Sequence, residues 1–380
     1  MSEIYLDNAA TTKAFPEVVT AVKEALATNY ANPSSLHTKG LAAEKLLKKA
    51  RKSLARALKV TAAEIYFTSG GTEANNLAIK GTINTLKRYG NRIITTTIEH
   101  PSVLNVFKNL ESDWDVKYVD VDQTGKINLK QLQEYLNDDT ILVSIMAVNN
   151  ELGTIQPLKK ISKLTKQYSN LYLHVDGIQA LGKIDLFPDR LGIDLCSVSA
   201  HKIHGPKGVG ALYLSEDLRM NGIFHGSGQE EGLRPGTENV PGIAGFNKAV
   251  ELLATAKERG KMYQLKETMV TNILNEITGS TLNGPAIKEG APHIANISFA
   301  GIRGEVLVHS LAEEDIYVST GAACSSRRKD SNHVLKAIGL KDNLIDKTIR
   351  FSLATTTTEE EIAVVIAKLK EKITMLRKIM

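Results

Sequence analysis

The residues best equipped for covalent chemistry lie in SAHKIHGPKG at 199–208, where Lys202 stands among small and histidine neighbours. The run before it, IDLCSVSA at 193–200, is short, apolar and partly β-branched, so it reads as a buried strand. VGALYL at 209–214 reads as a second strand after the turn. Lys202 then stands at a strand end, where partial loss of solvation makes an amine a usable nucleophile for a Schiff base. The competing account is a solvated lysine in a surface turn, and this stretch alone leaves both open.

Other apolar runs end in complementary groups. IYFTS at 65–69 leads into GGTEANN at 70–76, a glycine turn opening a helix whose free N–H groups and dipole suit a phosphate, with the Thr72 hydroxyl beside them. The strand at 95–98 delivers Glu99-His100-Pro101, ILVSIMAV at 141–148 runs into NNELGT, and LYLHV ends in Asp176 with Gln179 close behind. Ligands of an open parallel sheet bind beyond the carboxyl ends of its strands, so these groups belong together. Singly each has an ordinary explanation: His100 as a packed or solvated ring, Asp176 as a helix cap. Jointly, a phosphate site, a carboxylate, an aromatic ring and an amine are what holds pyridoxal 5′-phosphate.

The elements that must position these groups alternate between strand and helix. Helical spacing covers 17–27, 35–58 behind the turn NPSS, and 73–88; strand signals fall at 65–69, 92–97, 116–122, 141–148 and 171–176. Strands separated by helices of this length predict an α/β fold, a mostly parallel sheet covered by helices. From about Val240 a long helical pattern leads to strand signals at 293–299, 316–319 and 349–353, and a final helix at 359–379, which predicts a smaller α+β domain. The expected boundary lies in that pattern, giving a large cofactor-binding domain at 14–255 and a small C-terminal domain at 256–380, with 1–13 joining them. No internal repeat is evident.

Bulk composition excludes several classes. The 380 residues are 42% hydrophobic and 23% charged, ordinary for a globular protein. A net charge of +5, from 47 basic and 42 acidic residues with no long block of one sign, argues for solubility rather than direct nucleic-acid binding. Two distant cysteines, Cys196 and Cys324, without a signal peptide or an apolar run of membrane length, predict a cytoplasmic protein with no membrane partner and no structural disulfide. His201 and His204, with His100 or His174, could be cast as zinc ligands, but an H-x-x-H without clustered cysteines is poor evidence, and no metal is expected.

The motifs LDNAATT, NPSSLH, TSGGTEANNLAI, EHPSV, NNELGTIQP, HVDGIQALGK, SAHKIHGPKGVGALY, GLRPGTEN, STGAACSS, HVLKAIG and IRFS resemble those of the NifS/IscS-type cysteine desulfurases of the class V aminotransferase superfamily, over nearly the whole length. The resemblance implies that Lys202 carries pyridoxal 5′-phosphate, Asp176 keeps its ring nitrogen protonated, His100 stacks on the ring and relays protons, and Gln179 meets its phenolic oxygen. Gly71, Thr72, Ser199 and His201 would hold the phosphate, with Thr237 reaching it across a homodimer interface. Arg350 and Asn150 would bind the substrate carboxylate, with Asn150 also beside the cofactor. A planar guanidinium grips a carboxylate bidentately, which suits Arg350 to that role.

In that scheme L-cysteine displaces Lys202, the freed amine removes the α-proton, and the Cys324 thiolate takes the sulfur as a persulfide while alanine leaves. The sulfur would pass to an acceptor protein, an iron–sulfur scaffold or a tRNA thiolation enzyme. Cys324 separates this activity from the nearest alternatives in the superfamily, a selenocysteine lyase or an aminotransferase. It lies in STGAACSSRRKDS, where Arg327 and Arg328 favour the thiolate, whereas Cys196 lies inside an apolar strand and reads as a packing residue. The long span from Cys324 to HVLKAIG fits the long-loop subgroup. Glu231 stands where many relatives carry arginine. The chain stops soon after the helix at 359–379, short of the tail that long members use to dock the scaffold.

Overall fold

Period-two alternation across a set of nearly continuous apolar strands decides the architecture, because it gives the central sheet two faces that both need cover. The computed structural model describes residues 3–320 and 332–379. A short strand β1 (Ile4–Tyr5) precedes the central sheet of β2 (Ile65–Thr68), β3 (Arg92–Thr96), β4 (Asp115–Val119), β5 (Thr140–Met146), β6 (Tyr172–Asp176), β7 (Leu195–Ser199) and β8 (Gly210–Leu214). Their order is β2-β8-β7-β6-β5-β3-β4, with β8 alone antiparallel to its neighbours. The expected mostly parallel α/β sheet is therefore observed.

Successive residues serve opposite faces. Val143, Cys196, Val198, Ala211 and Tyr213 pack on one side with Leu54, Leu58 and Phe246, while Leu142 and Leu195 turn to the other side, toward Phe107 and Leu77. Each such apolar side chain, fully buried, contributes roughly 1.5–3 kcal/mol. The carboxyl ends of β3, β5, β6 and β7 therefore form a firm edge.

A second sheet has the order β12-β10-β9, built antiparallel from β9 (Ser280–Asn283), β10 (Ile294–Phe299) and β12 (Thr348–Ser352), with a separate parallel pair of β1 and β11 (Ile316–Tyr317). Its core joins Ile297, Phe299 and Phe351 to Met269, Leu307 and Leu369 from the surrounding helices. The N-terminal segment straps the two sheets together. Leu6 N–H donates to the Tyr317 carbonyl at 2.8 Å, Ala9 N–H to Ser352 Oγ at 2.9 Å, and Thr12 N–H to the His201 carbonyl at 2.9 Å. The strap thus runs from the second sheet to the turn that carries Lys202.

Several boundaries differ from the sequence expectation for identifiable reasons. The helical pattern from Val240 is two helices, Val240–Glu251 and Ala256–Glu276, because Thr255 and Glu258 form a reciprocal capping box that starts a new helix. The helix behind NPSS starts at Thr38 rather than 35, where His37 Nδ1 accepts the Gly40 N–H at 3.2 Å. Strands β1 and β9 were not expected; at two and four residues they are too short to show a period.

Candidate active site

Asp176 ends β6 in a fully buried position, and two donors hold its carboxylate. Asn75 Nδ2 donates to Oδ2 at 2.8 Å and the Ile178 N–H to Oδ1 at 3.0 Å. Burial raises this carboxyl above its ordinary range, and the two hydrogen bonds and the Lys202 charge oppose the rise, as His100 would if protonated. A carboxylate so placed favours a cationic partner. Asn75 also donates to Ser102 Oγ at 2.9 Å, and Ser102 Oγ lies 2.8 Å from His100 Nδ1. His100 itself caps the helix Pro101–Leu110, its Nδ1 accepting the Ser102 N–H at 3.1 Å. Burial lowers the His100 pKa, which keeps the imidazole neutral near pH 7.

Lys202 closes a short 3₁₀ turn, Ala200–Lys202, directly after β7. Its Nζ donates to the carbonyls of Ala9 and Ala10, each at 2.7 Å. Gln179 Nε2 donates to the same Ala9 carbonyl at 2.9 Å, so amine and amide converge on one point of the N-terminal strap. His201 Nδ1 lies 3.1 Å from Thr11 Oγ1, and burial pushes its pKa down to about 4.

The helix Gly71–Leu86 begins at this edge with no side chain capping its N-terminus. A side chain on Gly71 would run into Ile178, and its first carbon would stand 3.6 Å from Ser199 Cβ. Ser199 is buried and its hydroxyl has no hydrogen-bond partner among the described residues. An unsatisfied hydroxyl beside an uncapped helix N-terminus fits a phosphate, which would satisfy both. Thr72 and Thr237 are exposed at the rim. Arg234, three residues before Thr237, is paired to Glu73 in the first turn of that helix at 2.8 Å, tying the GLRPGTEN loop to the same place.

Arg350 projects from β12, buried, with one guanidinium nitrogen 2.7 Å from Asp7 Oδ1 and another donating to the Asn150 carbonyl at 3.0 Å. Its Nε has no partner among the described residues. Asn150 thus meets Arg350 through its backbone. Glu151 next to it is buried, raised in pKa by burial, and accepts from Asn332, while His333 Nε2 donates to the Glu99 carbonyl at 2.9 Å. Burial pushes the Glu99 carboxyl itself up to about 8.

The family model described as aminotransferase class-V matches residues 4–365. The chain belongs to the class-V aminotransferase family. It is 42% identical over 380 residues, covering 99% of this chain and 96% of the relative, to a protein of Dictyoglomus turgidum named cysteine desulfurase IscS. A Methanosarcina thermophila protein of the same name is 40% identical over 98% of this chain and 93% of its own length. Among solved structures, one titled NIFS-like protein superposes with a TM-score of 0.91 at 37% identity, covering 98% of this chain and 100% of the other. Another, titled SspA in complex with cysteine, gives a TM-score of 0.82 at 33% identity over 94% of this chain and 100% of the other.

In this class-V aminotransferase-family chain the fold brings Gly71, His100, Asp176, Gln179, Ser199, His201 and Lys202 to one edge of the central sheet, together with Asn150 in the loop after β5, and Arg350 reaches the Asn150 carbonyl from the second sheet. Cys324, with Arg327 and Arg328, lies outside the described residues. Cys196 is buried in β7, and burial pushes its thiol well up. Glu231 is exposed, accepting from the Tyr66 hydroxyl at 3.5 Å, while its neighbour Glu230 takes the bidentate pairing with Arg51 at 2.6 and 2.7 Å. His174 is spent inside the sheet between Ser144 and Ser197, at 2.8 and 3.0 Å, and His204 stacks on Phe15. Among the described residues no group of three His, Cys, Asp or Glu could hold a metal ion, and no helix is long and apolar enough to cross a membrane. Sequence reasoning missed Asn75, Ser102, Asp7 and His293, and noted Glu99 only as a neighbour of His100.

Proposed function

We propose that the chain is a pyridoxal 5′-phosphate-dependent cysteine desulfurase that converts L-cysteine to L-alanine and passes the sulfur, as a persulfide on Cys324, to an acceptor for iron–sulfur cluster assembly or tRNA thiolation. The observation that carries the reading is the convergence of Lys202, the buried Asp176 and the unsatisfied Ser199 hydroxyl at the uncapped helix terminus. When bound, pyridoxal phosphate supplies the electron sink for negative charge at the substrate α-carbon.

The chain's own residues do the rest. Lys202 would supply the amine that anchors the cofactor, and the same amine would serve as the base for the substrate α-proton. Asp176 holds the ring nitrogen protonated, its burial making a cationic partner favourable. His100, neutral near pH 7, would stand beside the ring and could relay protons. Gly71, Thr72, Ser199 and His201 hold the phosphate, Gln179 gives an N–H to the phenolic oxygen, and Arg350, with Asn150, fixes the substrate carboxylate. The test is direct: the purified protein should be yellow, lose its visible band on borohydride reduction, and release alanine and sulfide in equal amounts from L-cysteine with a reductant. A colourless protein that takes up no pyridoxal phosphate refutes the reading.

The same reading divides the chain into a cofactor-binding domain at 14–255 and a smaller domain at 256–380 joined by 1–13, and places the protein in the cytoplasm. It also makes the active species a homodimer, because Thr237, exposed at the rim, completes the phosphate site of the neighbouring subunit. Sedimentation with in-line activity should show turnover in the dimer alone; an active monomer would sink this part.

A further inference from the structure

Two donors meet at the Ala9 carbonyl: Lys202 Nζ at 2.7 Å and Gln179 Nε2 at 2.9 Å. A carbonyl oxygen only accepts, so Gln179 must turn its amide nitrogen to the Lys202 side and its Oε1 away. Oε1 lies 3.2 Å from Nε2 of His293, the residue just before β10. His293 is buried, and its Nδ1 has no partner among the described residues. Burial and the surrounding cations Lys183, Lys266, Arg350 and Lys202 hold the ring neutral, with one proton to place. On Nε2 that proton bonds to Gln179; on Nδ1 it would be stranded. The opposite amide orientation would both strand it and set Oε1 against the Ala9 oxygen. One arrangement therefore satisfies every group that can be satisfied.

We infer that His293 is a positioning residue that locks the Gln179 amide with its N–H groups toward Lys202, where they meet the phenolic oxygen of the cofactor. The inference rests on the pyridoxal phosphate reading above. An N–H on that oxygen stabilises its negative charge and makes the adjoining lysine link easier to deprotonate. Without the lock, the yellow protonated form should persist to higher pH.

The test is a pH titration of the visible band in the holoenzyme, together with the cofactor Kd. His293→Leu should raise the band's pKa by about one unit, the scale of one hydrogen bond to a charged group. Gln179→Ala should raise it similarly, and His293→Leu in the Gln179→Ala background should add nothing further. His293→Gln, which keeps a neutral N–H donor, should titrate as wild type. A wild-type titration for His293→Leu beside a shifted Gln179→Ala overturns the inference. Should His293→Leu not accumulate as folded protein, His293→Gln carries the test, and a full shift there with the donor retained also overturns it. A wild-type protein without a borohydride-sensitive band instead overturns the cofactor reading, so the two failures are distinguishable.

Discussion

Lys202→Ala is expected to lower alanine production from L-cysteine by at least about 10³-fold, since covalent anchoring and proton abstraction are lost together. Among the described residues no other amine is placed to substitute. Lys183 and Lys266 are the other buried lysines near this edge, and burial pulls both down to about 8, but Lys266 is committed to the Ala291 carbonyl at 2.6 Å. Lys183 bears electrostatically on His204 and His293. The proposed phosphate end of the site does not depend on Lys202: Ser199, Gly71 and the helix terminus remain. The variant should therefore still take up pyridoxal phosphate, without the borohydride-sensitive link and with a spectrum nearer the free aldehyde. The Ala9 and Ala10 carbonyls lose a charged donor, although Ala9 keeps Gln179, so a destabilisation of about 1–3 kcal/mol is expected. Absorption spectra, reductive trapping and an alanine assay on the folded variant check all three points. Turnover retained near the wild-type level would remove Lys202 from the mechanism.

How much of this was legible in the sequence follows from where each signal resides. Parallel strands covered on both faces must be nearly continuous apolar runs, so β5, β6 and β7 announce themselves, and the polar groups after them fall at one edge by geometry. Asn75 was within reach of the same logic. It lies four residues after Gly71 on one helix, hence on the same face, yet an amide in a helix looks like a solvated residue. Asp7, the Ala9 carbonyl and His293 could not be found that way. Their contacts to Arg350, Lys202 and Gln179 span 343, 193 and 114 positions, and no local period records a chain strapped across another sheet. Asn150 shows a related limit: a motif names a side chain, whereas its described contact with Arg350 is made by a backbone oxygen. The break at Thr255 was available as T-A-K-E, the capping-box pattern, but apolar residues on either side kept the longer helical reading intact.

Cys324→Ser separates cofactor chemistry from sulfur chemistry, and here the expected effect rests on the thiol alone. Cys324 lies outside the described residues, and the substitution retains Lys202, which donates to the Ala9 carbonyl, Asp176, which accepts from Asn75, and Arg350, which pairs with Asp7. The variant should bind pyridoxal phosphate with the wild-type visible band, and L-cysteine should perturb that band as it does in the wild type. Proton abstraction at the α-carbon should survive too, detectable as exchange of the substrate α-hydrogen with deuterated water. Sulfur removal should not. A serine hydroxyl is a far weaker nucleophile than a thiolate near pH 7 and cannot carry a persulfide, so alanine release should fall by about 10²–10⁴-fold. Cys196 cannot rescue it, being fully buried in β7 with its thiol held protonated by burial. Mixing the variant with L-cysteine while following the spectrum, the α-hydrogen exchange, alanine and protein-bound persulfide reads all of these at once. Exchange without alanine would assign the sulfur step to Cys324. Wild-type alanine release with persulfide still on the protein would take that role from it and leave a class-V enzyme whose lyase activity does not use this cysteine.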